Sequence, residues 1–331
     1  MNDQKPLRIG ILGAARIADD GIVGPARALG HQLVAVAARD RGRAETFAAA
    51  RGIGTVHDGY ADVIADPNVD VVYNALVNSL HERWNIAALQ AGKHVLSEKP
   101  LTSNATQTRR VAEVAKRSPG TIVEGFHYLH HPVNHALRDA ATSGKLGEIQ
   151  RVEIVLTIPG PPDTDPRWSL DLAGGAAMDL GCYVLSAARA FGGWIGAGSP
   201  EITSVDVDLK APEMDAGMRV ELAYSGGVSG RAVWDMNSTD RTMTWTVIGT
   251  NGSATSPAFA VPAMDNRLLL TVDGQTTERT HGDRTSYTYQ LTALANTIRE
   301  GAPYAFTLDD SIANAELIDE CHRRTGLTPR G

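Results

Sequence analysis

The sequence predicts an α/β chain: a doubly wound parallel sheet, then an α+β domain with an open, mostly antiparallel sheet. Three observations predict it. Short unbroken apolar runs alternate with alanine-rich stretches of helical spacing as far as about residue 126. Near residue 148 the rhythm changes to longer runs in which apolar and polar residues alternate. The length, 331 residues, suits about two domains at roughly 150 residues each.

The first domain is read over residues 1–126. Its apolar runs are residues 7–12, 32–38, 70–76, 94–97 and 121–126. Such runs suit strands buried on both faces, as in a parallel sheet. Residues 41–51, 81–91 and 105–117 carry helical spacing between them. Strand and helix in alternation is the pattern of an N-terminal Rossmann-type sheet. The second domain is read over residues 127–331. Its alternating runs lie at 149–158, 202–209, 218–224, 230–236 and 243–249. Ser225-Gly226-Gly227 and Asn251-Gly252 separate them as turns. Alternation of this kind gives a sheet one polar face. Helices are expected at 176–191, 287–299 and 309–324, the last free to pack back on the first domain.

Composition narrows the function classes. Hydrophobic residues at 43% and charged residues at 21% allow a sizeable globular core. A formal net charge of −7 argues against a nucleic-acid partner, which selects for a basic face. The two cysteines, Cys182 and Cys321, give no disulfide framework and suit a reducing compartment. The polar start at residues 1–7 and the lack of an apolar run of about 18 residues predict neither signal peptide nor membrane span. The expected location is the cytoplasm.

The first strand runs into Gly10-Ile11-Leu12-Gly13-Ala14-Ala15-Arg16-Ile17-Ala18. A dinucleotide turn needs small residues where backbone approaches the pyrophosphate and where helix packs on strand. Gly13 opens this turn. Ala15 and Ala18 stand at the second and third glycine positions, which is tolerable where the local φ is negative. Gly13 and Ala14 lead to backbone N–H groups of Ala15, Arg16 and Ile17 that would face phosphates at a helix start. The competing reading is a tight strand–helix turn with no ligand.

The second strand ends in Ala38-Arg39-Asp40-Arg41. An NAD site usually carries Asp or Glu there, bonded to the ribose 2′-hydroxyl. Ala38 and Arg39 remove that carboxylate and supply a guanidinium able to pair with a 2′-phosphate, with Arg43 close by. NADP is the expected cofactor. NAD, bound through Asp40, is the alternative.

The apolar run at residues 94–97 leads into Ser97-Glu98-Lys99-Pro100-Leu101. Ligands of open α/β sheets sit outside the carboxyl ends of strands. A lysine there can hydrogen-bond a substrate oxygen and lower the pKa of a neighbouring acid–base group. By itself such a lysine is more often a solvated charge. Asp179 and Tyr183 lie four residues apart in a helical stretch and so share a face. Read without further support, they also suit a buried hydrogen-bonded pair with no chemistry.

Glu98-Lys99-Pro100, the upstream Asn78-Ser79-Leu80-His81 and the downstream Glu124-Gly125-Phe126-His127-Tyr128 with His131-Pro132 resemble the glucose–fructose oxidoreductase/inositol dehydrogenase (Gfo/Idh/MocA) family. Arg167 followed by Gly174-Gly175-Ala176-Ala177-Met178-Asp179-Leu180-Gly181-Cys182-Tyr183 resembles that family's second-domain motif. The matches run in family order from residue 8 to about residue 190.

The resemblance implies hydride transfer between a nicotinamide and a hydroxyl or carbonyl of a sugar, polyol or cyclic diol. It implies a cis Lys99–Pro100 bond, a Lys99 that touches both substrate and nicotinamide, and a homodimer or higher homo-oligomer formed through the open sheet. It also brings Leu76, Asn78, His81 and Glu98 into the cofactor set beside Lys99. Tyr183, where many members carry His, resembles the glucose–fructose, dihydrodiol and xylose dehydrogenase branch. Tyr183 is then the proton donor or acceptor, Lys99 its electrostatic partner and Asp179 the group that orients substrate. Tyr128, Arg167 and Trp168 are the candidate substrate contacts, although Trp168 suits core packing equally well.

The chain departs from the family's pattern in several places. A proline-containing turn is replaced by Ala75-Leu76-Val77 before Asn78, and Leu129 follows Tyr128 where the family often has arginine. The missing charge leaves the substrate open. His127, His130, His131 and His135 are dense enough to suggest zinc, but no Cys or Glu stands at ligand spacing, so no metal is expected. A short-chain dehydrogenase would need Tyr-x-x-x-Lys; Tyr183 is followed at that spacing by Ala187 and Tyr128 by Pro132. The reading from another class is a non-catalytic NADP-binding regulator of the same fold.

Overall fold

A computed structural model describes residues 5–331 of the chain, and the polar start over residues 1–4 lies outside the described residues. In chain order the strands and helices begin with β1 (Arg8–Leu12), a π-turn (Asp19–Val23) leading into α1 (Gly24–Leu29), β2 (Gln32–Ala37), α2 (Arg41–Arg51), β3 (Thr55–Val56) and α3 (Tyr60–Ala65). They continue with β4 (Val71–Asn74), α4 (Asn78–Gln90), β5 (His94–Ser97), α5 (Ala105–Ala115), β6 (Ile122–Glu124) and α6 (Pro132–Thr142). Then come β7 (Ile149–Pro159), a second π-turn (Ala177–Gly181) continuous with α7 (Cys182–Trp194), β8 (Glu201–Ala211), β9 (Met214–Ala223), β10 (Ser229–Ser238) and β11 (Thr242–Gly249). The last elements are β12 (Gly252–Ser256), β13 (Arg267–Val272), β14 (Gln275–Thr280), α8 (Ser286–Glu300) and α9 (Leu308–Arg324).

Two compact units divide these elements. One comprises residues 5–102 with Thr106–His127 and Tyr287–Ser311; the other comprises Ser103–Ala105, Tyr128–Ser286 and Ile312–Gly331.

The first unit is a parallel sheet in the order β3-β2-β1-β4-β5-β6. That order reverses direction between β1 and β4, which is the switch point where doubly wound sheets take ligands. Strand residues alternate between two apolar layers. Ile9, Ile11, Val36, Tyr73 and Leu96 pack with α1, α2 and α8 on one face. Leu12, Ala35, Val72 and Val95 pack with residues of α3, α4 and α5 on the other. Both faces are covered, which is why the strands read as unbroken apolar runs.

The second unit holds a sheet in the order β14-β13-β12-β11-β7-β10-β9-β8. Its pairs are antiparallel except β7 with β10, which run parallel. The chain leaves β7, passes through α7 and the β8–β9 hairpin, and returns as β10 beside β7. Along β7 and β11 alternate residues are buried, as the sequence pattern predicts.

Some elements were not legible. The turn expected at Asn251-Gly252 is present at Thr250-Asn251, but β12, which starts at Gly252 paired with Gly249 of β11, is not predicted by the sequence pattern. β14 is exposed at every position and reads Gln-Thr-Thr-Glu-Arg-Thr, so it has no apolar period to reveal it. The single helix expected at 176–191 is a π-turn joined to α7. No helix among the described residues is long and apolar enough to cross a membrane.

Candidate active site

The phosphate turn follows β1 at the switch point. Gly13 has φ +96°, its N–H donates to Ala37 O at 2.8 Å, and a Cβ there would press Leu76 Cδ2 at 3.1 Å and Ala75 O at 3.3 Å. This position therefore requires glycine. Ala15 and Ala18 have no positive φ, so the condition that made alanine tolerable at the glycine positions holds. The N–H groups of Ala14, Ala15, Arg16 and Ile17 donate to no acceptor among the described residues. Successive unclaimed N–H groups at a helix start are what a pyrophosphate requires, so the turn fits the group.

The end of β2 separates the two cofactor readings. Asp40 is the extended N-cap of α2, and its Oδ1 accepts from Arg43 N at 2.7 Å. Its carboxylate is committed to the helix it starts. Arg39 and Arg43 are exposed, and Arg43 Nη2 reaches back to Ala14 O in the phosphate turn at 3.4 Å. Ala38 supplies only a small half-buried side chain beside them.

Lys99 sits where β5 ends, half-buried, and the Lys99–Pro100 bond is cis. The loop is held from several sides. His81 places Nδ1 2.7 Å from Pro100 O and Nε2 2.9 Å from Leu76 O. Asn85 Nδ2 donates to Leu101 O at 3.1 Å and to Ser97 Oγ at 3.0 Å, and Asn85 Oδ1 accepts from Asn74 at 2.8 Å. Glu124 Oε1 accepts from Leu101 N at 2.8 Å. Beside Lys99, Glu98 Oε1 accepts the Tyr73 hydroxyl proton at 2.7 Å. Buried polar groups engaged in this way restrict the loop to one conformation.

Burial changes the chemistry of this loop. It pushes the Glu124 carboxyl up to about 7, against the pull of the Ser311 hydroxyl, the Leu101 N–H and the Lys99 charge. Among the described residues Glu124 Oε2 has no hydrogen-bond partner. Burial also lowers the His81 imidazole, opposed by its carbonyl neighbours. His81 is fully buried and joins the expected cofactor residue Leu76 to the Lys99–Pro100 loop through the two carbonyls. Asn78 opens α4 one turn before it.

The second unit carries the other candidates. Arg167 grips Asp165 through Nε and Nη2, each at 3.0 Å, and reaches Asp179 Oδ2 through Nη1 at 3.4 Å. Asp179 lies in the π-turn and Tyr183 in the first turn of α7. π-turns widen a helix locally and recur at functional sites. Tyr128 is fully buried, its hydroxyl 2.8 Å from Ser186 Oγ, and Ser186 in turn donates to Tyr183 O at 2.8 Å. Its ring lies 5.7 Å from that of Tyr183. Tyr128 is thus linked to Tyr183 through Ser186 and by ring proximity. Trp168 is half-buried, with Nε1 donating to Pro161 O at 3.3 Å and the Lys210 ammonium over its ring at 5.4 Å.

The histidines scatter to separate tasks. His127 stacks on Tyr287 with centroids 3.8 Å apart. His131 caps α6, its Nδ1 accepting from Val133 N at 3.2 Å, and burial lowers it to about 4. His130 is lowered to about 3 by burial, and His135 Nε2 lies 2.9 Å from Leu129 O.

Asn74 and Asn85 were missed by sequence reasoning. The signal was present: Asn78, His81 and Asn85 stand at i, i+3 and i+7, a polar stripe on a helix whose inner face should be apolar. Asp215 and Arg330, which meet beneath the π-turn, left no such signal.

A sheet with this strand order, a phosphate turn at its switch point and a fixed lysine on its carboxyl crest defines the class: a dinucleotide-binding oxidoreductase scaffold. Residues 7–126 match the oxidoreductase family with NAD-binding Rossmann fold, and residues 134–255 match the GFO/IDH/MocA C-terminal domain. The chain belongs to this Gfo/Idh/MocA oxidoreductase family. It is 32% identical to D-xylose 1-dehydrogenase (NADP(+)) 2 of Haloferax volcanii over 95% of each chain. It is 33% identical to the dTDP-3,4-didehydro-2,6-dideoxy-alpha-D-glucose 3-reductase of Streptomyces violaceoruber, over 98% of this chain and 96% of the reductase. A 3-ketoreductase from Actinomadura kijaniata, solved with NADP and TDP-benzene, superposes with a TM-score of 0.88 at 29% identity and 98% coverage of both chains.

Proposed function

We propose that this protein is an NADP-dependent dehydrogenase or reductase acting on a hydroxyl or carbonyl of a sugar or sugar-like ring. The observation that carries the proposal is Lys99 fixed at the end of β5, on the same crest as the unclaimed N–H groups of the phosphate turn. A relative named as an NADP(+) D-xylose dehydrogenase and one named as a deoxysugar 3-reductase support the same substrate class.

Gly13 and the N–H groups of Ala14 to Ile17 would hold the pyrophosphate. Arg39, with Arg43 lying over the turn, would pair with a 2′-phosphate, while Asp40 remains the helix cap. The bound nicotinamide supplies the hydride acceptor or donor. Tyr183 gives or takes the hydroxyl proton of the substrate. Lys99 hydrogen-bonds the reacting oxygen and, as a cation, favours the phenolate form of Tyr183. Asp179, held by Arg167, orients the neighbouring hydroxyl of the ring. Trp168 offers a ring for stacking. A homodimer formed through the polar face of the open sheet, in the cytoplasm, completes the proposal; a monomer in light scattering at working concentration refutes the dimer.

The test mixes protein with NADP+ or NADPH and a panel of aldoses, polyols and cyclic diols, with D-xylose included, and follows the reduced-nicotinamide absorbance. Turnover with a preference for NADP is expected. Lys99→Met and Tyr183→Phe are each expected to lower kcat by about 10²–10⁴-fold with the fold intact. Tight NADP binding without turnover on any substrate would instead indicate a regulator. Full activity in Lys99→Met would remove that residue from the chemistry.

A further inference from the structure

We propose that Arg330 is a positioning residue for the site: with Asp215 it forms a buried latch that fixes the turn delivering Asp179. The inference rests on the reading of Asp179 as a site residue.

Arg330 is 4% exposed and Asp215 is fully buried. Arg330 Nη2 donates to Asp215 Oδ1 at 2.7 Å, and Arg330 Nε donates to Gly174 O at 2.9 Å. The other oxygen of Asp215 accepts from Ala177 N at 2.5 Å. The pair therefore holds both ends of one turn, the carbonyl at Gly174 and the amide at Ala177. Gly175 between them has φ +118°, and a Cβ there would overlap Asp215 Oδ1. Glycine at 175 is what lets the carboxylate enter.

The held turn leads straight to the site. Asp179 N donates to Gly175 O at 3.1 Å, and Gly175 N donates to Arg167 O at 2.9 Å. Arg167 is the side chain that pairs with Asp179. The latch thus stands one hydrogen-bonded step from both members of that ion pair. The segment that carries Arg330 is itself fixed. Asn104 Nδ2 donates to Arg330 O at 2.7 Å, and Thr328 N donates to Glu213 Oε2 at 2.9 Å.

A buried ion pair is a poor source of net stability but a strong constraint on geometry. Without Arg330, Asp215 Oδ1 would face, among the described residues, only the buried His322, whose Nε2 lies 3.6 Å away, and nothing among them would hold Gly174 O. A lysine in place of arginine keeps the charge and loses the fork that reaches Asp215 and Gly174 together. Graded loss from arginine to lysine to methionine is therefore the signature of positioning.

The test compares wild type, Arg330→Lys, Arg330→Met and Asp215→Asn by amide hydrogen exchange of the full chain without ligand. In Arg330→Met and Asp215→Asn, exchange across residues 177–181 is expected to rise by about tenfold or more, while α6 and β11 hold their wild-type rates. Arg330→Lys is expected to recover part of the protection. In the turnover assay, Arg330→Met is expected to lose kcat by about tenfold with the KM for NADP within about twofold. Should Arg330→Met not fold, Arg330→Lys carries the same comparison. Unchanged exchange at 177–181 overturns the latch, as does a rise spread evenly over the second unit or a lysine variant no better protected than methionine. The exchange experiment needs no substrate, so failure of the functional reading appears only in the turnover arm.

Discussion

Glu124→Gln isolates a carboxyl on which burial is the largest influence. In the folded chain Glu124 holds its proton up to about 7, against an ordinary value of 4.5. The folded state therefore binds a proton that the unfolded chain releases near 4.5. Stability from this group is complete below pH 4.5 and is lost as the pH rises through 7. The gap corresponds to about 3 kcal/mol across that interval. Glutamine keeps the acceptor for Leu101 N and cannot ionise, so the variant should lack this pH-dependent loss. Its amide nitrogen would stand where Oε2 has no partner, which adds a constant penalty, so the comparison is of slopes. Two measurements check it. Carboxyl NMR on glutamate-labelled protein should show one resonance titrating near 7 that disappears in Glu124→Gln. Denaturation midpoints at pH 5 and pH 8 should fall further for wild type than for the variant. Lys99 opposes the shift, so in Lys99→Met the same resonance should titrate at higher pH. A Glu124 resonance that moves with the bulk carboxylates, together with parallel midpoints from pH 5 to 8, would refute the reasoning.

Further predictions follow from the cofactor side. Arg39→Ser should raise the KM for NADP+ by about 10–100-fold and leave that for NAD+ nearly unchanged, since one charge-assisted pair to the 2′-phosphate is removed. Asp40→Ala should cost about 1 kcal/mol of stability by uncapping α2 and leave the NADP preference in place; a swing in preference would restore Asp40 as a ribose ligand. Gly13→Ala should weaken NADP binding measured by fluorescence quenching, because φ +96° strains any side chain and Leu76 would be displaced.

Much of the candidate site is local in sequence. The phosphate turn, Ala38-Arg39, Glu98-Lys99-Pro100 and Asp179 with Tyr183 each lie within a few consecutive residues. Their motifs stand out in the spacing, while the roles expected of Lys99, Asp179 and Tyr183 came from the family resemblance. The doubly wound sheet was legible because burial on both faces writes unbroken apolar runs into β1, β4 and β5. β14 was not, because a fully exposed edge strand needs no apolar period.

What only the tertiary structure decided is which residues touch and which stand behind them. Residues 131 and 135 look alike in sequence; folding makes one a cap and sets the other against Leu129 O. That the Tyr128 hydroxyl meets Ser186, 58 positions away, is visible only in the fold. Asp215 and Arg330 are separated by 115 positions, and no spacing rule joins them. Sequence fixes local conformation and the apolar pattern, because those depend on neighbours along the chain. The partners of buried charges depend on which distant segments the sheet and helices bring together, and that is settled only in the folded molecule.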